Sequence, residues 1–174
     1  MKMTYLFSIL TGVISGIISS ALIFVFWQFQ KPKLEISKEI AKNSKGEYRV
    51  KIRNKTHRYV SKIFIQLQVV KRTNGYEGYV FNTYNLDLPY SEIMLINPRR
   101  KQDEKADHAI RLVLPNDLEK QWTEDQYTYL KLNIYCSNEY GTASKVYEQC
   151  YLRKNVIIAG EFECGDSMKI HPNK

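Results

Sequence analysis

Between Tyr5 and Phe29 the chain carries no Asp, Glu, Lys, Arg or His, a run of 25 residues in a sequence of 174. As a helix rising about 1.5 Å per residue, that run reaches roughly 37 Å, enough to cross a hydrocarbon core of about 30 Å with some tilt. It closes on Phe24, Val25, Phe26, Trp27 and Phe29, followed by Lys31, Pro32 and Lys33. This is the aromatic-then-basic order of a bilayer surface, and Pro32 cannot continue the helix. A secretory leader has a shorter apolar core, about 7 to 15 residues, ending on small residues suited to cleavage. The bulky close points instead to a retained anchor over residues 1–30.

Charge sets the expected orientation. Only Lys2 and the α-amino group precede the run, whereas Lys31, Lys33, Lys38, Lys42 and Lys45 follow it closely. The positive-inside rule therefore places the C-terminal part in the cytoplasm. Of the net charge of +8, residues 31–62 hold 11 basic and 3 acidic residues, while residues 63–174 hold 14 basic and 15 acidic. The excess thus lies next to the anchor, and Lys31, Lys33, Lys38, Lys42 and Lys45 are the expected contacts to anionic lipid headgroups. Basic clusters also suit nucleic acid, but a position directly after an anchor accounts for this one without DNA or RNA.

Within the apolar run Ser8, Gly12, Gly16 and Ser20 recur every four positions, with Thr11, Ser15 and Ser19 as a second row. Small residues on one helix face let two backbones approach closely, and Gly12-x-x-x-Gly16 has the spacing of helix dimerisation. Self-association into a homo-oligomer through this face is expected.

After the anchor the pattern changes to period two. In Tyr48-Arg49-Val50-Lys51-Ile52-Arg53 every second residue is charged, which predicts a half-buried strand with a wet outer face. Ile63, Ile65, Leu67 and Val69 repeat the alternation, as do Ile110, Leu112 and Leu114, and Leu130, Leu132, Ile134 and Cys136. Strands are expected at 33–37, 47–54, 60–71, 78–84, 91–96, 107–114, 127–136, 144–152 and 156–163, with one helical turn near 115–120. Seven to nine antiparallel strands suggest an all-β fold, an immunoglobulin-like β-sandwich, with a small closed β-barrel as the alternative. The expected layout is a basic juxtamembrane segment with the first strand over 31–46, the sandwich over 47–164 and a flexible tail over 165–174.

Chemistry-bearing motifs are scarce. His57, His108 and His171 are scattered without metal-ligand spacing, and there is no nucleophile elbow, phosphate-binding loop or dinucleotide fingerprint. Cys136, Cys150 and Cys164 read as buried free thiols, because a turn at 138–141 leaves Cys136 and Cys150 out of register. No catalytic residue, metal or cofactor is expected. Tyr76, Tyr79, Phe81, Tyr84 and Tyr90 crowd one segment beside Gly75 and Gly78, and exposed aromatics offer large, rigid contact area. They mark the expected surface for an unidentified protein or small-molecule ligand.

One anchor, a basic collar and one β domain make the layout of a non-enzymatic binding or sensing module at the cytoplasmic membrane face. It also resembles the layout of membrane-anchored β-rich effectors of bacterial antiphage signalling, often built with more than one spanning segment, where one is visible here. That resemblance implies an oligomerising effector whose β domain senses a ligand and whose helix perturbs the bilayer.

Overall fold

The computed structural model describes residues 2–100, 107–123 and 127–172. Two compact units follow one another, Met1–Lys31 and Pro32–Lys174. The first is the helix α1 (Lys2–Gln30). Its segment Phe7–Gln30 has a mean hydropathy of 2.3 and is long and apolar enough to cross a membrane.

The second unit is mostly β. One sheet is built around β3 (Tyr48–Asn54). Along one edge of β3 run β1 (Leu34–Ile36) and then β2 (Ile40–Lys42), both antiparallel. Along the other edge runs β7 (Ala109–Val113), also antiparallel. The segment expected to hold a basic collar and a single strand thus contains two strands of this sheet.

The second sheet is built around β4 (Val60–Gly75), a strand of 16 residues. One edge of β4 takes β6 (Glu92–Ile96) and β5 (Gly78–Leu86); the other takes β8 (Thr128–Asn138), which carries β9 (Ser144–Tyr151) beyond it. Its alternation follows the sequence: Ile63, Ile65, Leu67 and Val69 on β4 and Leu130, Leu132, Ile134 and Cys136 on β8 are buried. They join Leu34, Ile40, Val50, Ile52 and Leu112 of the first sheet in one core. The short helix α2 (Leu118–Gln121) adds Leu118, with the buried Trp122 at its end.

Three features depart from expectation. First, β10 (Ile157–Ala159) joins β2 in parallel, so pairing is not wholly antiparallel. A parallel pair needs a long connection, and here most of the domain lies between its strands in the chain. Second, both sheets are open and curled, with β5 and β9 as the free edges of the second, so the closed barrel is not formed. Third, the segment expected to be a loose tail pairs: β11 (Glu161–Phe162) and β12 (Ile170–His171) make a small hairpin.

That hairpin changes the environment of β3. Lys51 faces outward by the alternation, yet it is 2% exposed. Its Nζ donates to the carbonyl oxygens of Glu163, Gly165 and Ser167, each at 2.7 Å. Three acceptors match the three N–H donors of an ammonium group. Burial, and then the nearby charge of Arg111, pull the Lys51 pKa below its ordinary value. Residues 163–167 therefore cover the face predicted to be wet.

Candidate interaction surface

The β4–β5 hairpin turns at Tyr76 and Glu77 between the paired Gly75 and Gly78. Gly78 has φ +153, a conformation that L side chains rarely adopt, so glycine is needed at that corner. The pairing of β4 with β8 ends at Lys71 opposite Thr128. Past that point the hairpin continues as a two-stranded ribbon, with Arg72 opposite Phe81, Thr73 opposite Val80 and Asn74 opposite Tyr79.

Because side chains alternate across a strand, Tyr79 and Phe81 lie on one face of β5, while Val80 and Tyr84 lie on the other, Tyr84 opposite Val69 where β8 still pairs with β4. Tyr79 is 61% exposed and Tyr84 58%, and Phe81 and Val80 are exposed as well. Tyr76 caps the tip, wholly exposed. Tyr90 is exposed in the connection from β5 to β6 and stands outside the ribbon. The structure thus keeps all five expected residues at the surface but distributes them over two faces, a tip and a neighbouring loop.

Several members of this surface were not anticipated from sequence. The guanidinium of Arg72 lies 3.3 Å from the ring centroid of Tyr79 and 5.0 Å from that of Tyr127. Its flat π system suits such stacking, and its position fixes the Tyr79 ring against the ribbon. The Arg72 Nε is buried and has no hydrogen-bond partner. Val80 adds further exposed apolar surface here, whereas the exposed Met94 and Leu95 of β6 lie at the other end of β4, Leu95 opposite Ser61. One sequence signal was available: Tyr79-Val80-Phe81 does not alternate, so both faces of that strand must be apolar.

Strand β5 carries no charged residue between Gly78 and Leu86. Exposed edge strands are usually guarded by charge or proline. The opposite edge, β9, is guarded in this way by Lys145 and Glu148.

The five lysines expected at lipid headgroups are separated by the fold. The Lys33 carbonyl accepts a hydrogen bond from the Lys55 backbone N–H at the C-terminal end of β3. Lys42 and Lys45 lie at the other end of that strand, since Lys42 pairs with Tyr48 and Lys45 sits in the turn before it. Seven residues at about 3.3 Å each put those ends roughly 20 Å apart, beyond a Debye length of about 8 to 10 Å. Lys42 is also engaged, at 2.9 Å from Glu119 and over the Tyr48 ring. Lys38 is exposed between β1 and β2, and Lys31 is half-buried at the end of the first unit.

On α1, Gly12 and Gly16 have nothing within 4 Å of where a Cβ would stand. The Ser20 hydroxyl donates to the Gly16 carbonyl at 2.8 Å, and that of Thr11 to the carbonyls of Phe7 and Ser8 at 3.0 Å. Those hydroxyls are satisfied within their own helix, and Ser8 is exposed on the same helix.

Among the described residues no group of His, Cys, Asp and Glu is arranged to hold a metal ion. All three cysteines are free, but of the three expected to be buried only Cys136 is, Cys150 being half-buried near the end of the edge strand β9 and Cys164 exposed in the β11–β12 connection; burial pushes the Cys136 thiol up to about 12. A small cavity of about 280 Å³ is lined by Lys51, Arg111, Glu163 and Cys164, but Lys51 is committed to its three carbonyls and Arg111 to the Phe162 carbonyl at 2.8 Å. No protein-family model matches the chain, and a search of curated proteins finds no match.

Proposed function

We propose that the chain is a single-pass membrane protein whose β domain is a non-enzymatic protein- or ligand-binding module on the cytoplasmic side. Its recognition surface is the β4–β5 hairpin. One observation carries this proposal: an uncharged edge strand presents Tyr79, Val80, Phe81 and Tyr84 to solvent on both faces. Large aromatics at a free edge cost folding energy unless something covers them, and they are the side chains that dominate interface energetics. An extended partner segment can add to the edge through main-chain hydrogen bonds while its side chains meet the aromatics. We read the two open sheets around one core as an immunoglobulin-like sandwich, and the lysine-rich flank of α1 supports the cytoplasmic placement.

Photocrosslinking from position 84 in the full-length membrane-bound chain tests this. The expected adduct is absent from a control position on α2 and is lost in Tyr79→Ala with Phe81→Ala at unchanged thermal stability. Adducts that form equally at the control, or that survive the double substitution, refute the assignment.

Gly12 and Gly16 favour a second reading, because their open face lets copies of α1 pack closely. Under it the chain is an oligomerising membrane effector, and Gly12→Ile with Gly16→Ile abolishes toxicity on overexpression. Unchanged toxicity, or none with the native chain, returns the weight to the first reading.

A further inference from the structure

Three loops meet where the β domain begins. The Tyr147 hydroxyl donates to the Pro32 carbonyl at 2.6 Å, tying β9 to the first residue of the domain. The loop after β3 is held to Lys33 through Lys55 and to Arg99 through Thr56 and His57, at 2.8 Å each. The turn after β8 is bound through Asn138, whose carbonyl accepts from the Ser61 hydroxyl at 2.8 Å. Lys33, Arg58, Lys62, Arg100 and Lys145 are exposed at this pole, and Tyr140 is exposed in the β8–β9 turn.

The local acids leave most of that charge free. Glu35 is taken up by Arg53 and Lys55, and Asp166 by Arg53, Arg99 and His108. Lys33, Arg58, Lys62, Arg100 and Lys145 have no ion-pair partner among the described residues, though Lys145 Nζ lies 4.6 Å from the Tyr147 ring centroid, and Asp107 and Glu139 are the acids that remain nearby. Lys62 stands out further, because it is the one described non-glycine residue with positive φ, at +49. It sits where the β4–β8 register shifts between Ser61 and Phe64, a bulge that redirects a side chain at some cost in backbone strain. The opposite end of β4, at the hairpin tip, is about 50 Å away by strand rise.

We infer that this pole is a docking surface for anionic lipid headgroups, formed by Lys33, Arg58, Lys62, Arg100 and Lys145, with Tyr140 placed among the headgroups. The inference rests on reading α1 as a membrane anchor, and it replaces most of the lysines chosen by sequence proximity with cations gathered by the fold. A negatively charged bilayer surface complements the five cations, a tyrosine with an apolar body and a polar tip suits its interface, and Pro32 follows two residues after the end of the apolar helix. A nucleic acid shares the charge but gains nothing from that proximity.

The test uses the full-length chain with Cys150→Ser, Cys164→Ser and Tyr140→Cys, labelled with an environment-sensitive dye. It is reconstituted into phosphatidylcholine nanodiscs with or without phosphatidylglycerol. Lipid-borne nitroxide is expected to quench the dye severalfold more in the anionic discs, with reversal at high salt, while a label at Tyr76→Cys is quenched in neither. Each cation removed lowers the docked-to-free ratio about fivefold. Arg58→Gln with Arg100→Gln therefore lowers that ratio about 25-fold, read as reversal at lower salt, and Lys62→Gly weakens it without harming the fold, because glycine relieves the positive φ. Equal quenching in both lipids, an unchanged salt of reversal in the double variant, or displacement by an oligonucleotide from a lipid-independent site overturns the inference. A chain that alkaline carbonate strips from membranes overturns the anchor reading and this inference with it, whereas an integrated chain with equal quenching overturns this inference alone.

Discussion

The His108 Nε2 lies 2.6 Å from Oδ1 of Asp166, so the turn leading into β7 is fastened to the segment between β11 and β12. The same carboxylate meets Arg99 at 2.5 Å and Arg53 at 3.5 Å. Partial burial works to raise the Asp166 pKa, but the hydrogen bonds from His108 and Arg99 and their charge outweigh it, and the pKa falls below its ordinary value. A depressed carboxylate pKa contributes stability that is complete above the unfolded-state value and is lost as pH falls through the folded value. Asp166→Asn is therefore expected to cost about 1 kcal/mol at neutral pH, and the cost should shrink as pH falls below about 4. Thermal denaturation of both chains across that range measures the difference; parallel Tm profiles would contradict it.

Gly160 connects β10 to β11 at φ +152, and a Cβ placed there would overlap the carbonyl oxygen of His171 and approach Ile170 Cγ2 to 2.7 Å. Neither the backbone angle nor the neighbouring backbone can yield cheaply. Gly160→Ala is expected to destabilise the domain by about 2 kcal/mol or more, and hydrogen exchange should rise first in 161–171 and in the covered face of β3. Unchanged protection there would mean that β12 does not hold its observed place.

Val80 is exposed on the free edge opposite Thr73. A charge at this position guards an edge strand without entering the core. Val80→Lys should leave stability within about 0.5 kcal/mol while lowering self-association in sedimentation or light scattering. If association is unchanged, the edge is not the adhesive element.

The long strands were legible because their inner positions are apolar without interruption, as in Ile63 to Val69 and Leu130 to Cys136. β2 and β12 escaped notice for a physical reason. With only 3 and 2 residues they are too short for a period to register, and distant partners create them. Lys51 shows the deeper limit. Alternation assigns a side chain to a face, but it does not reveal whether a later part of the chain will cover that face, and here residues 163–167 do. At the candidate surface the exposed tyrosines could be read locally, whereas Arg72 gained its place only when β8 brought Tyr127 alongside. The lysines expected at headgroups show the converse, since neighbours in sequence are spread by the fold, with Lys42 and Lys45 at the far end of β3 from Lys33.

The parallel union of β2 with β10 and the clasp of residues 163–167 on Lys51 together have a consequence for synthesis. The strands that follow α1 are translated first, yet their partners, β10 and residues 163–167, come much later in the chain. A polypeptide halted before Ile157 would leave the β2 edge and the outward face of β3 uncovered. Synthesis past Ser167 is therefore the step that closes this domain.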